Sequence, residues 1–185
     1  MTTPTFATPT FPTRWPDVPA CHGWLALDRR GHWRLQGERL THAGLIAFLN
    51  AHYQSDASGA WFVRNGPQQV FVTLHYTPWV LRLTPDGSFE TQTGLKVDSV
   101  DAVWIDEEGS VILGTGQGPG LVDDRDLAAV LGQCRLRDGR PATDEELIGH
   151  LERANTDLMW RDLPLQVIKR SDVPCRFGFR PEPGH

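Results

Sequence analysis

The chain has 185 residues, of which 39 % are hydrophobic and 22 % are charged, and its formal net charge is −5. This size and composition predict an ordinary soluble globular protein with a hydrophobic core. The negative charge argues against a chain-wide nucleic-acid surface, and no apolar run approaches the roughly 20 residues of a membrane helix. Because the N-terminus also lacks the basic start and apolar centre of a signal peptide, we expect a cytoplasmic location.

Threonine and proline dominate residues 1–20. Proline fixes φ and removes a backbone donor, so this segment is expected to be a flexible tail. The pattern changes to alternating apolar and polar residues near Trp24. We therefore expect a hairpin-rich α+β domain over residues 21–135. A C-terminal helix and short strands over residues 136–185 are expected to pack on the same domain.

A short motif, Asp-x-x-Gly, recurs between runs of β-forming residues. It occupies residues 28–31, 56–59 and 106–109, and a shorter variant occupies residues 84–87. Aspartate favours the start of a turn, and glycine accepts the left-handed conformation that closes it. The motif therefore predicts several tight β-hairpins.

Three helices are expected between these hairpins. Thr41 is a suitable N-cap for a helix over residues 42–53. A second helix is expected over residues 125–131, and a third opens at residue 143 with a Thr-x-x-Glu capping box and runs to about residue 156. Short strands are expected over residues 165–169 and 176–179. Since strands and helices do not alternate regularly, the prediction is an α+β fold with a mostly antiparallel sheet built from several hairpins, on which the three helices pack.

Residues 61–83 form the longest stretch that alternates apolar with polar side chains, broken only by two turns. Alternation places the apolar residues on one face of a sheet and the polar residues on the other. If the strands pair as neighbours, two arginines and a histidine share the polar face and can hold a carboxylate or a phosphate. The alternative is a solvated outer face. The predicted ligand-binding residues are Arg64, Thr73, His75 and Arg82.

The glycine-rich segment 114–120 lies between an expected strand and an expected helix, where a phosphate loop would be placed. Pro119 occupies the position at which a dinucleotide fingerprint requires glycine, and there is no Gly-Lys-Ser/Thr sequence. We interpret the segment as a flexible connector.

The histidines and cysteines do not form a metal or catalytic motif. His42 and His52 are ten positions apart on one expected helix, and they therefore lie on different faces. The three cysteines are far apart in sequence and are expected to be reduced. No serine lies in a nucleophile elbow. We therefore predict no metal, no cofactor and no catalytic residue.

A group of basic residues surrounds an aromatic one near the first turn. An aromatic residue among cations is typical of a nucleic-acid surface, but neighbouring acidic residues and the acidic chain argue against that partner. Its members are Arg29, Arg30, His32, Trp33, Arg34 and Arg39.

The order of several motifs resembles the bacterial family called domain of unknown function 1285. The motifs are Gly31-His32-Trp33 with Gly37, Thr41-His42-Ala43-Gly44-Leu45, Phe48-Leu49, residues 56–63 and Tyr76-Thr77-Pro78-Trp79. The resemblance implies a compact α+β bacterial protein without an established activity. His75-Tyr76 stands where that family has an acidic pair, so a role that depends on those acids is not carried over.

These observations favour a non-enzymatic cytoplasmic protein that binds a partner protein or a small anionic ligand. One alternative is a hydrolase-like enzyme with a dispersed site, which His75 close to a carboxylate or a thiol in a deep pocket would support. Another is a structural subunit of an assembly, which an exposed aromatic patch involving Trp15, Trp33 or Trp160 would support. The residues do not indicate an oligomeric state.

Overall fold

The computed structural model of the protein describes residues 19–153 and 157–184, so the expected tail lies almost wholly outside the described residues. One sheet is built from residues 20–74. Its strands are β1 (Ala20–Leu27), β2 (Trp33–Leu35), β3 (Glu38–Arg39), β4 (Tyr53–Ser55), β5 (Trp61–Asn65) and β6 (Gln68–Leu74). The strand order is β3-β2-β1-β6-β5-β4.

The second sheet follows in the chain and has nine strands. They are β7 (Trp79–Leu83), β8 (Phe89–Thr91), β9 (Lys96–Val97), β10 (Val100–Ile105), β11 (Val111–Thr115), β12 (Gly118–Val122), β13 (Cys134–Leu136), β14 (Leu158–Trp160) and β15 (Leu163–Val167). The strand order is β13-β14-β15-β10-β11-β12-β7-β8-β9.

The described residues also contain four α-helices and one 3-10 helix. The α-helices are α1 (Ala43–His52), α2 (Leu127–Leu131), α3 (Asp144–Arg153) and α4 (Val173–Phe177), and the 3-10 helix is Arg170–Asp172. None of these helices is long and apolar enough to cross a membrane. The α+β class is confirmed, but the prediction of three helices is wrong.

Both sheets are mixed, and the expectation of one mostly antiparallel sheet is therefore only partly right. Strands joined by short turns pair antiparallel, as hairpins require. Three further pairs are parallel: β1 with β6, β7 with β12 and β10 with β15. Each parallel pair joins strands that are distant in the sequence, which local turn signals cannot predict.

The ends of two helices test the expected caps. The N-cap of α1 is His42 and not Thr41, because the imidazole Nδ1 of His42 accepts a hydrogen bond from the Leu45 N–H at 3.1 Å. In α3 the capping box is confirmed. The Thr143 N–H donates to a Glu146 carboxylate oxygen at 2.9 Å, and the Glu146 N–H donates to the Thr143 hydroxyl at 3.3 Å.

The expected strand over residues 176–179 is wrong, because its first two residues end α4 and the next two form no strand. Val173 and Phe177, four positions apart, both pack on the core, which is helical spacing. Pro174 lies in the first turn of the helix, where its missing donor costs nothing. Gly178 ends the helix in the left-handed conformation.

The predicted Asp-x-x-Gly turns are confirmed, and the three full motifs make the same hydrogen bonds. In the turns at Asp28, Asp56 and Asp106, Oδ1 of the aspartate accepts from the backbone N–H groups two and four residues later. The glycine N–H donates to the aspartate carbonyl at 2.9, 3.1 and 2.9 Å. Each glycine has a positive φ, and the side chain and the backbone therefore fold the turn together.

The glycine-rich segment 114–120 is not a flexible connector. It forms the end of β11, a tight turn and most of β12, and the two strands pair antiparallel. The Thr115 hydroxyl donates to the Gly118 carbonyl at 2.8 Å and closes the turn.

A continuous hydrophobic core extends through both sheets. The apolar residues of the 61–83 stretch lie in it as the alternation predicts, and most of them are buried. Trp79 packs edge-on against Trp61 and Tyr53, with ring centroids 5.0 and 5.3 Å apart. Trp33 and Trp160 are only 2 % and 1 % exposed, so neither forms an exposed aromatic patch. The third tryptophan of that expectation, Trp15, lies outside the described residues.

The corner Tyr76-Thr77-Pro78-Trp79 joins the two sheets. The Tyr76 hydroxyl donates to the fully buried Asp106 carboxylate at 2.7 Å. The guanidinium groups of Arg29 and Arg170 lie 5.1 and 4.9 Å from the Tyr76 ring centroid, and both donate to the Glu108 carboxylate. Burial and the hydrogen bond to Asp106 raise the pKa of Tyr76 far above its ordinary value. These contacts therefore fix the position of the corner between the two sheets.

Candidate functional site

The four predicted ligand-binding residues do not share one face. Strands β5 and β6 pair as expected, but β7 pairs with β8 and β12 in the second sheet. The assumption that all three strands are neighbours is therefore wrong. The chain changes sheet at the Thr77-Pro78 corner, where the Thr77 hydroxyl accepts from the Leu121 N–H and ties the corner to β12.

Arg64 and Thr73 remain on the outer face of the first sheet. Arg64 is exposed, and its guanidinium lies 5.6 Å from the Phe62 ring centroid. Thr73 is half-buried beside Ala26 of β1. Nothing in their contacts singles out a bound group, and the assignment of Arg64 and Thr73 stays a prediction.

His75 is exposed just beyond the end of β6. Its backbone N–H donates to the Leu27 carbonyl at 3.0 Å. The residue lines a depression of about 450 Å³ together with Tyr76, Glu107 and Arg170. Within the described ranges, no hydrogen bond joins the His75 ring to a carboxylate or a thiol.

Arg82 lies in a different cleft, which is the strongest candidate site. The cleft has a volume of about 310 Å³ and separates the β1–β2 turn from β7 and β8. We call it the arginine cleft, because three arginines line it. Its lining residues are Arg30, Gly31, His32, Val80, Arg82, Glu90, Thr91, Gln92, Gly94 and Arg125.

An aspartate holds each arginine of the cleft along one edge of the guanidinium group. The Arg82 Nε donates to Asp126 at 2.9 Å. Arg125 donates through Nε and Nη2 to both oxygens of Asp123, at 2.9 and 2.7 Å. The third pair joins Nε and Nη2 of Arg30 to one Asp124 oxygen, at 3.1 and 2.6 Å.

The remaining guanidinium donors are available to a ligand. No hydrogen bond between described residues uses Nη1 of Arg30, Nη1 of Arg125 or either terminal nitrogen of Arg82. The aspartates that hold the arginines do not line the cleft. Glu90 is the one carboxylate among the described lining residues, beside the three arginines.

The backbone turn that carries Arg30 is fixed against the second sheet. Gly31 lies so close to Gln92 that an added Cβ would come within 2.7 Å of the Gln92 Cβ. Gln92 is itself held, since its side-chain oxygen accepts from the Val80 N–H at 2.8 Å. The two sheets therefore meet at the cleft, and each contributes part of its wall.

Of the three supporting aspartates, Asp123 is held in the ionised state by its arginine. Burial raises the pKa of Asp123, but the hydrogen bonds and charge of Arg125 outweigh it and hold that pKa well below its usual range. Burial also raises the pKa of Asp28. Hydrogen bonds from the backbone N–H groups of His32 and Arg30 outweigh this effect, and the pKa is lowered. Asp123 in turn raises the pKa of Arg125. The Asp123–Arg125 pair therefore stays charged at neutral pH.

Replacing Asp123 with asparagine is expected to change how the stability depends on pH. Because the folded-state pKa of Asp123 lies below its unfolded value of about 3.9, its ionisation stabilises the fold above that pH and ceases to do so as the pH falls through the folded pKa. The stability gap between wild type and Asp123→Asn should therefore be widest above about pH 5 and shrink towards about pH 2. Urea unfolding at a series of pH values measures this stability gap. A gap that does not change with pH contradicts a lowered pKa of Asp123 in the folded state.

Sequence reasoning found only Arg82 among the three arginines of the cleft. Arg30 belongs to the basic group that was considered for nucleic acid, and Arg125 lies in the acidic run 123–126. The acidic run is the sequence feature that could have indicated the site. Several aspartates beside one arginine can orient arginine side chains from other parts of the chain. Only the fold brings this run next to β7.

The thiols and the acidic residues do not form a second site. Cys21 and Cys134 are buried, Cys175 is exposed, and all three are free. Burial raises the pKa of the Cys134 thiol to about 11, so it is not a thiolate at neutral pH. In residues 19–153 and 157–184, no three His, Cys, Asp or Glu side chains converge as metal ligands would.

Comparison with solved structures supports the fold. A DUF1285 family protein from Silicibacter pomeroyi DSS-3 is similar to this chain with a TM-score of 0.52 and 14 % identity, over 70 % of this chain and 84 % of that chain. A DUF1285 family protein from Shewanella baltica OS155 has a TM-score of 0.43 and 16 % identity, over 57 % and 88 % of the two chains. The similarity to the Silicibacter pomeroyi protein confirms the resemblance to that family at the level of the fold.

The comparisons with sequences give a family but no activity. No curated protein matches the chain. The model of the family DUF2944, described as "Protein of unknown function (DUF2946)", matches residues 11–184, which is nearly the whole sequence. The chain therefore belongs to the family DUF2944, and its fold is similar to that of DUF1285 proteins.

Proposed function

We propose that the protein is a non-enzymatic binding protein of the bacterial cytoplasm that holds a small anionic ligand in the arginine cleft. The observation that carries the proposal is the convergence of Arg30, Arg82 and Arg125 on one cavity, each held by an aspartate outside it. Guanidinium groups present donors in the geometry that phosphate and carboxylate oxygens require. Arginines that are already ordered also lose less entropy when a ligand binds.

Two further observations support this proposal. The exposed position of His75 supports a binding role over a hydrolase-like site, because a catalytic base needs a partner that orients it. The three free cysteines, two of them buried, support a reducing compartment. The cleft, at about 310 Å³, is at the small end of the roughly 300–1,000 Å³ that is typical of ligand sites.

Titration calorimetry with inorganic phosphate and pyrophosphate, at low salt and on the full chain, tests the proposal. We expect both to bind and pyrophosphate to bind more tightly, since it carries more charge. Arg30→Gln should weaken binding about tenfold or more, because a hydrogen bond to a charged group is worth about 1.5–3 kcal/mol. This variant should fold normally, since the exposed pair of Arg30 with Asp124 contributes only about 0–1 kcal/mol.

Arg64→Gln is the matched control, because Arg64 is an exposed strand arginine on the first sheet. Its affinity for pyrophosphate should equal that of the wild type. The proposal fails if the wild type binds neither anion. It also fails if Arg64→Gln loses affinity while Arg30→Gln does not, since that result would return the site to the outer face of the first sheet.

A further inference from the structure

A second cavity lies on the other side of Arg30. It has a volume of about 320 Å³, and we call it the leucine cavity. Its lining residues are Arg29, Arg30, Glu108, Gly109, Ser110, Leu121, Val122, Asp124 and Leu127. Arg30 is the residue that lines both cavities, and the two cavities are therefore neighbours across one side chain.

The two cavities differ in chemistry. The arginine cleft offers guanidinium donors from three elements, whereas Leu121, Val122 and Leu127 give the leucine cavity an apolar floor. Its charged residues are already engaged with each other. Arg29 donates to Glu108 at 3.1 Å and to the Ser110 hydroxyl at 2.7 Å. An anionic group is therefore expected on one side of Arg30 and an apolar group on the other.

The Arg30–Asp124 pair orients the side chain between the two cavities, but the pair is exposed to solvent. The side chains of Arg30 and Asp124 are 63 % and 50 % exposed, and an exposed ion pair of this kind contributes little to stability. Each cavity alone is at the small end of the size range of ligand sites, and the two together are well inside it.

We infer that the ligand of the arginine cleft is an amphipathic anion, with its charged head among Arg30, Arg82 and Arg125 and an apolar body that crosses Arg30 into the leucine cavity. This inference rests on the proposed function. Arg30 then contacts the ligand at the point where its charged head is bonded to its apolar body. The apolar body selects between ligands that have the same head, because its burial adds affinity that a bare anion cannot gain.

Titration of the full chain with methyl phosphate and hexyl phosphate tests the inference, because the two share a head and differ only in the apolar body. Hexyl phosphate should bind at least about tenfold more tightly, since each methylene that leaves water adds affinity. Leu127→Ala should reduce this ratio to about threefold or less and leave the affinity for methyl phosphate unchanged. Leu127→Asn, which keeps the size and branching of the side chain, should reduce the ratio as well.

Leu131→Ala is the control, because Leu131 is in the same helix, is also half-buried and does not line the cavity. Its ratio should stay at the wild-type value. Equal affinities of methyl and hexyl phosphate would overturn the inference and leave the anion-binding proposal standing. A wild type that binds neither compound would overturn both, and a ratio that falls equally in Leu127→Ala and Leu131→Ala would overturn the placement of the body.

Discussion

Replacing Gly59 with alanine is expected to destabilise the protein by about 2–5 kcal/mol. Gly59 has φ +80°, and an added Cβ would lie 2.1 Å from the Gly178 carbonyl oxygen and 3.0 Å from the Phe179 Cα. Both are backbone atoms, so no side chain can rotate away to make room. The new methyl group must displace the segment after α4, whose Arg180 N–H donates to the Gly59 carbonyl at 2.8 Å.

Gly87→Ala isolates the contribution of the clash. Gly87 also has φ +80°, but no atom lies within 4 Å of its added Cβ. This variant therefore meets only the cost of a left-handed alanine, about 1–2 kcal/mol. Urea denaturation of both variants measures the difference. Equal losses would show that the C-terminal segment does not press on the turn as described.

Asp106→Ala is the second substitution with a large expected effect, at about 3 kcal/mol or more. The Asp106 carboxylate is fully buried and accepts from the Tyr76 hydroxyl and from the backbone N–H groups of Glu108 and Ser110. Each buried donor that loses its acceptor costs about 1–3 kcal/mol. The substitution also frees the corner at which the two sheets are joined.

Asp56→Ala is the matched control, since Asp56 makes the same two backbone contacts in an exposed turn without a tyrosine partner. Its cost should be about 1 kcal/mol. Tyr76→Phe should cost about 1–2 kcal/mol in the wild type and much less in the Asp106→Ala background. Additive effects in this double-mutant cycle, measured by urea unfolding, would contradict the described coupling.

Local chemistry predicted the parts of the fold that short segments decide. The Asp-x-x-Gly turns formed as expected, because the aspartate, the glycine and their backbone partners lie within five residues. Alternation also predicted the buried face of residues 61–83 correctly, since a strand of any sheet presents alternate side chains to the core. The capping box at Thr143 is local in the same sense.

The candidate site could not be predicted in the same way, because its contacts are distant in the sequence. Arg82 and Asp126 are 44 positions apart, and Arg30 and Asp124 are 94 positions apart. The alternation of side chains placed Arg82 on the same face as Arg64. Alternation does not show that the chain passes into another sheet at the Thr77-Pro78 corner. The short helix α4 was missed for a related reason, since five residues carry too little periodicity to separate helix from strand.

The parallel pairing of β10 with β15 has a consequence for synthesis on the ribosome. The first sheet has all its strands once Leu74 has emerged, but the register of β10 with β15 joins Val103 to Leu165. For some sixty residues of translation, one edge of β10 therefore has no partner strand. An unpaired edge recruits other chains. Truncation ahead of β15 should consequently produce an aggregating chain, and not merely a less stable one.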